Sequence, residues 1–117
     1  MPDLHQNFAY STVATAPSPA SSGTSLVVAS GDGAKFPAVP FNATVWVTAA
    51  QPLTTNAEVV RVTGISTDTL TIVRAQEGSA ARTVVVGDQI AATITNQTLM
   101  DAEVMAIAFQ LGMVYPS

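Results

Sequence analysis

From Thr24 onward, apolar and polar residues alternate along the chain in short runs. These runs are rich in Val, Ile and Thr, and Gly, Asp, Asn or Pro separates most of them, which is typical of β-strands. The runs are TSLVVAS, ATVWVTA, AEVVRVTGI, DTLTIVRA, RTVVVGD and QIAATIT. About six such strands predict a mainly β domain over residues 24–96, built as a small β-sandwich or open barrel.

Two neighbouring runs, in VVRVTGISTDTLTIVR, have the pattern of a β-hairpin. Val60 and Val62 alternate on the first strand, Leu70 and Ile72 alternate on the second, and residues 66–68 between them are polar. Such a polar segment between two alternating runs predicts a tight turn.

The first 23 residues differ from the rest of the chain. The run ATAPSPASSG, residues 14–23, contains two prolines and three serines, a composition that opposes regular structure. We therefore predict that residues 1–23 form an extended N-terminal arm. Phe8, Tyr10 and Thr12 lie on one side of a possible strand within it, so we expect the arm to pair with a partner surface.

The last segment, TLMDAEVMAIAFQLG, changes to a helical period, so residues 97–117 are predicted to form a C-terminal helix and tail. Thr98 with Asp101 forms a capping box, and Gly112 is a suitable stop. The apolar positions of this helix that we expect to contact other copies of the chain or another partner are Met100, Val104, Met105, Ile107, Phe109 and Leu111.

A helix of about 14 residues is marginal alone in water, so its stability must come from packing. Met100, Val104, Ile107 and Leu111 recur at steps of four, three and four and draw one stripe. We predict that this stripe is a helix–helix seam in a homotrimer. The alternative is that the helix folds back to cap its own β domain.

Composition narrows the classes of partner. The chain has 117 residues, about one domain's length, and a net charge of −4, which does not attract phosphate, so a nucleic-acid partner is not expected. Only 10% of the residues are charged and 48% are apolar, whereas the surface of a free domain is about a quarter to a third charged. We therefore expect other chains to cover much of this surface. Cysteine is absent, and neither a signal peptide nor an apolar run of about 18 residues is present, so we expect no membrane partner.

Few residues offer chemistry. His5 is the one histidine, and no cysteine or second histidine can complete a metal site with it. The acidic residues Asp32, Asp68, Asp88 and Glu58 occur one per loop or strand edge, as turn residues commonly do. Trp46 lies inside a predicted strand, where packing is favoured over sugar stacking. We predict no catalytic residue, no cofactor, no metal and no enzyme activity.

The run RAQEGSAAR holds two of the four positively charged residues between two predicted strands. Gly78 is expected to take a positive φ and turn the chain. Glu77 is expected to close the loop through Arg74 or Arg82, and Gln76 to bond backbone groups left open at the turn. We predict a rigid structural turn, with a solvated loop as the alternative.

The segment AEVVRVTGISTDTLTIVRAQEGSAARTVVVGDQIAATIT resembles a module that recurs in structural proteins of tailed bacteriophages. In that module an Arg-x-Gln-Glu-Gly turn is followed by a Gly-Asp-x-hydrophobic strand. The signature residues in this chain are Arg74, Gln76, Glu77, Gly78, Gly87, Asp88 and Ile90. With GDGAKFPAVPFNATVW upstream, the similarity covers roughly residues 8–103. It implies a virion protein, and such modules occur both at the head of tail fibres and minor tail proteins and in small capsid-surface proteins.

Because the chain ends at Ser117, soon after the predicted helix, we expect a short protein without a fibre shaft. The favoured interpretation is a capsid decoration or cementing protein, assembled in the host cytoplasm and located in the virion. Its partners would then be itself and the major capsid protein or other virion proteins. Two alternatives stay open, namely a tail, connector or fibre-base component, and a glycan-binding module that uses Trp46 or Tyr10.

Overall fold

The computed structural model describes residue 6 and residues 8–92, and this part of the chain is mainly β. Its strands are β1 (Tyr10–Thr15), β2 (Ser25–Val28), β3 (Phe41–Trp46), β4 (Ala57–Ser66), β5 (Thr69–Gln76) and β6 (Gln89–Ala91). They form a closed antiparallel barrel in the order β1-β2-β5-β4-β3-β6. The predicted mainly β class is confirmed, and the sheet closes because β6 pairs with both β1 and β3.

The barrel interior holds the apolar positions of the alternating runs. Successive side chains of a strand point to opposite faces, so every second residue enters the interior. The fully enclosed apolar side chains include Val13, Leu26, Val28, Val45, Val60, Val62, Leu70, Ile72, Val84 and Ile90. Phe36 and Phe41 are also buried, with their rings stacked at a centroid distance of 5.9 Å. Removal of this surface from water is the main force that stabilises the barrel.

The predicted hairpin is confirmed as β4 and β5. Ser66 pairs with Thr69, so Thr67 and Asp68 form the turn. The Asp68 carboxylate accepts hydrogen bonds from the backbone N–H groups of Gly31 (3.1 Å) and Gly33 (2.9 Å). A Cβ on Gly33 would lie 1.7 Å from the Thr67 carbonyl oxygen, so the loop before β3 packs against this turn only with glycine there.

The prediction that residues 1–23 form an extended arm is wrong for strand β1. Val13 pairs with Val28, and Ser11 pairs with Ile90, so β1 fills the position between β2 and β6. Its Ser11 and Val13 side chains are buried inside the barrel. The Pro- and Ser-rich run that follows is the connection from β1 to β2. Because the composition of this connection was applied to the whole segment, strand β1 was assigned to the arm.

The prediction of a strand in RTVVVGD is also wrong, because residues 81–85 have no strand structure. Backbone groups here bond outside any ladder, as the Val84 N–H donates to the Ala20 carbonyl at 3.1 Å. The Asp88 N–H donates to the Val85 carbonyl at 3.1 Å and closes a turn. Gly87 in this turn has φ of 95°, which a β-branched residue reaches only with strain. A run with high β-propensity is thus used as a loop that covers one end of the barrel.

Several sequence predictions fall outside the described residues. These are His5, the C-terminal helix, and its contact positions Met100, Val104, Met105, Ile107, Phe109 and Leu111. The seam and the trimer therefore stay predictions.

Candidate functional site

Glu58 is the centre of a buried charge network. It lies on β4 among inward-facing positions, and its side chain is fully buried. Arg74 on β5 grips both carboxylate oxygens, with Nε donating to Oε2 at 2.8 Å and Nη2 donating to Oε1 at 2.9 Å. The backbone N–H groups of Ala75 and Arg82 donate to the same carboxylate at 2.7 and 2.9 Å. Four donors thus satisfy one buried anion.

Arg74 joins this carboxylate to two loops. Its Nη1 donates to the carbonyl oxygens of Ala20 at 3.2 Å and Gly23 at 3.0 Å, which precede β2. Its Nη2 also donates to the Arg82 carbonyl at 2.7 Å. One guanidinium therefore fastens β5, the β1–β2 connection and the loop before β6 together, and the fixed fork of five donors makes arginine suited to this.

A second ion pair completes this end of the barrel. Arg82 Nη1 donates to Asp88 Oδ2, and the Val85 N–H donates to the same oxygen at 3.0 Å. Asp88 is fully buried and directly precedes β6. The pair therefore fixes the loop from residue 82 to residue 88 and sets the point at which β6 enters the barrel.

The protonation of Glu58 follows from these contacts. Burial raises the pKa of the carboxyl group, since a charge loses its water there. The hydrogen bonds from Arg74 and from the backbone of Arg82 and Ala75, with the attraction of the Arg74 charge, outweigh burial and hold the pKa below its ordinary value of 4.5. Glu58 is therefore ionised near neutral pH and is not a proton donor there.

The predicted structural turn is present, with one partner misassigned. Gly78 has φ of 76°, and the Gln76 amide donates to the Arg74 carbonyl at 3.0 Å, as expected. Glu77, however, accepts from the Asn42 amide at 2.6 Å, and the carboxylate that joins Arg74 to the Arg82 backbone is Glu58. The prediction that Glu77 closes the loop through Arg74 or Arg82 is thus wrong.

Sequence reasoning missed Glu58 because it was placed with the acidic turn residues. One signal was available, since Glu58 has the same parity as Val60 and Val62 in a period-two run. That parity places its carboxylate inside the sheet, where it needs a charged partner.

Another carboxylate, Asp32, is fixed near β1. Ser11 Oγ donates to Asp32 Oδ2 at 2.7 Å, and the Lys35 ammonium lies 2.9 Å from Oδ1. The Ser11 hydrogen bond, then that of Lys35 with its charge, lower the pKa of Asp32, against a smaller effect of burial. This carboxylate is thus also held in the ionised form by the fold.

Tyr10 and Trp46, the two aromatic residues considered for sugar stacking, lie side by side on the outside of β1 and β3. Their ring centroids are 6.3 Å apart, with an interplanar angle of 54°. Trp46 is only 8% exposed and its Nε1 donates to the Ala50 carbonyl at 2.8 Å, so its predicted packing role is confirmed. Tyr10 is 42% exposed, and its hydroxyl donates to the Gln89 side chain at 3.0 Å. Trp46 therefore presents no open face to a sugar.

A groove of about 410 Å³ lies between the segment before β4 and the turn after β5. We call it the β3–β4 groove, and the residues of its wall used below are Thr44, Pro52, Leu53, Ala57, Val59 and Ala80. The polar Ser79 in this wall is bonded to the protein, because its Oγ accepts from the Val59 N–H at 2.9 Å and donates to the Gln76 carbonyl at 2.7 Å. The groove presents mainly apolar surface, and the polar members of its wall are Thr44, Thr54, Glu77 and Ser79.

The described residues contain no group of three His, Cys, Asp or Glu side chains placed to hold a metal ion. Within the same part of the chain, no helix has the length and apolar character needed to cross a membrane. Comparisons of the chain with protein-family models and with curated proteins find no match.

Proposed function

We propose that this chain is a structural protein of a tailed-phage virion, and that its role is to decorate and cement the capsid. One observation carries the proposal: most of the residues that resemble the phage module belong to the ion pairs, the turns or the interior of this barrel. The resemblance therefore concerns a structural framework.

Five of the seven signature residues meet an identifiable physical requirement of the barrel end or of its turns. Arg74 and Asp88 are members of the two ion pairs that fasten one end of the barrel. Gly78 and Gly87 have φ of 76° and 95°, which favour glycine. Gln76 bonds the backbone inside the turn. This agreement between residue type and position supports the proposal, with the exposed Glu77 as the exception.

A domain of this kind acts by being bound. Its charged network holds the barrel together, and several large apolar side chains face outward. The exposed ones are Phe8, Tyr10, Val39, Leu53, Val73, Val85 and Val86. Their burial against a shell would contribute about 25 cal/mol per Å². Repetition over many copies would then stabilise neighbouring capsomers against internal pressure without a strong single contact.

Imaging of virions tests this role. Virions of the phage that carries the gene would be labelled with antibody against this chain, with a virion lacking the gene as control. We expect many copies spread over the head, and heads that lack the protein should release DNA at a lower temperature. Absence of label from the virion would overturn the virion assignment.

A tail, connector or fibre-base component is the second candidate. The resemblance covers tail proteins as well as capsid-surface proteins. The predicted stripe at Met100, Val104, Ile107 and Leu111 suits both candidates, since fibre-like tail parts and local threefold positions on a head both use threefold symmetry. We propose a homotrimer in either case. Label confined to a few copies on the tail would favour this candidate over the capsid role.

A further inference from the structure

The β3–β4 groove lies close to the point where the described chain ends. Ala91 on β6 pairs with Thr44 on β3, and Thr44 pairs with Val59 on β4. Two steps between neighbouring strands are about 10 Å. The C-terminal segment therefore starts about 10 Å from Val59 in the groove wall.

The connection to the predicted helix is long enough for this distance. Residues 93–97 lie between the last described residue and Thr98. Five extended residues span up to about 17 Å. A helix that begins at Thr98 can thus lie over the groove of its own chain.

The predicted helix has two apolar faces. At about 100° per residue, Met105 and Phe109 lie about 140° and 180° around the helix from Met100. Val104 and Ile107 lie within about 40° of Met100, on the side of the stripe. Met105 and Phe109 are four residues apart, so they are neighbours on the opposite face. A helix apolar on two opposed sides needs two different partners.

We infer that the β3–β4 groove is the docking site for Met105 and Phe109 of the same chain. The groove presents Leu53, 56% exposed, beside Ala57 and Val59, so two unbranched or aromatic side chains find apolar contacts there. The opposite stripe then faces away from the barrel and is available to other copies.

Disulfide trapping tests this directly, because the natural chain contains no cysteine. Leu53→Cys would be combined in turn with Met105→Cys and with Phe109→Cys, so that each variant keeps the other anchor. The matched control combines Leu53→Cys with Ile107→Cys, which lies on the opposite face. A disulfide needs Cα atoms within about 7 Å, so each pair reports proximity. The full-length proteins would be oxidised at low concentration, and non-reducing gels and intact mass would distinguish bonds within a chain from bonds between chains.

We expect an intrachain disulfide in at least one of the two test variants, formed at least tenfold faster than in the Ile107→Cys control. Equal rates in test and control variants would overturn the inference, because the segment would then have no fixed face. Bonds formed only between chains would also overturn it and would place the segment on a second copy. Absence of any disulfide would show that the groove has another occupant or none.

Discussion

The buried pair of Glu58 and Arg74 offers the sharpest test of how this barrel is held together. Glu58→Gln keeps the size and shape of the side chain and removes its charge. The amide then has one oxygen and one NH2 group where the carboxylate had two acceptors. Because four donors now point at those two oxygens, the NH2 group must face at least one donor.

The size of the loss follows from burial on both sides. Glu58 is fully buried and the Arg74 side chain is only 8% exposed, so the guanidinium cannot regain water without opening the loops around it. Removing one partner of a buried ion pair costs about 3–5 kcal/mol, against a total stability of about 5–15 kcal/mol for a typical domain. We expect Glu58→Gln to lower the free energy of unfolding by that amount.

Equilibrium urea unfolding measures the loss, with fluorescence of Trp46 as the probe, because it is the one tryptophan and is 8% exposed. Arg74→Met in the Glu58→Gln background should restore part of the stability, since no unpaired buried charge remains. The double variant should be more stable than the sum of the single losses predicts, by at least about 1 kcal/mol. A loss under about 1 kcal/mol in Glu58→Gln would refute the central role of this pair.

Four further results are expected. Because the folded pKa of Glu58 is lowered, its contribution is present above its ordinary value of 4.5 and is lost as pH falls through the lowered value, so Glu58→Gln should flatten the acid limb of a pH–stability profile. Glu77→Gln alters an exposed carboxylate and should cost less than about 1 kcal/mol in urea unfolding, whereas a loss equal to that of Glu58→Gln would contradict the assignment. Gly33→Ala should lower the free energy of unfolding by more than about 2 kcal/mol, because the added Cβ would lie 1.7 Å from a backbone oxygen. Gly78→Ala should lower it by only about 1 kcal/mol, because there is space for the Cβ and only the φ of 76° is strained. Ile107→Asp should give folded monomers in light scattering if the stripe is a seam, while a folded trimer would exclude the seam and an unfolded chain would favour a cap.

The strands were predictable where one local pattern decides the structure. Val60 and Val62 against Leu70 and Ile72 are enough to indicate a hairpin, since period-two alternation and a polar turn are both local in sequence. Gly78 was likewise identified from its residue type, because few residues other than glycine take a positive φ at low cost.

The charge network was less predictable, because its partners meet only after the barrel closes. Glu58 and Arg74 are 16 residues apart, and a bulge lies between the pairings of Val59 with Gln76 and of Arg61 with Val73. A bulge shifts the register of the facing strand, so alternation alone does not say which carboxylate an arginine meets. The nearest acid in sequence, Glu77, was chosen for that reason and was wrong.

Whether a residue lies inside or outside the barrel decides whether it can contribute to the fold or to contact with a partner. This distinction applies to the residues of the Arg-x-Gln-Glu-Gly and Gly-Asp-x-hydrophobic signature. Arg74 and Asp88 face inward, so a substitution there would weaken the proposed attachment to a particle only by weakening the fold. Tyr10 and Val86 face outward, so their contribution to the stability of the isolated barrel is small, and any effect of their substitution on particle occupancy would report a contact. Under the proposed virion role, the location of the protein in the particle would therefore be encoded outside the signature, in the outer surface and the C-terminal segment. Under the same proposal, proteins that share the signature would need to share only the barrel, which is compatible with a location in the head or in the tail.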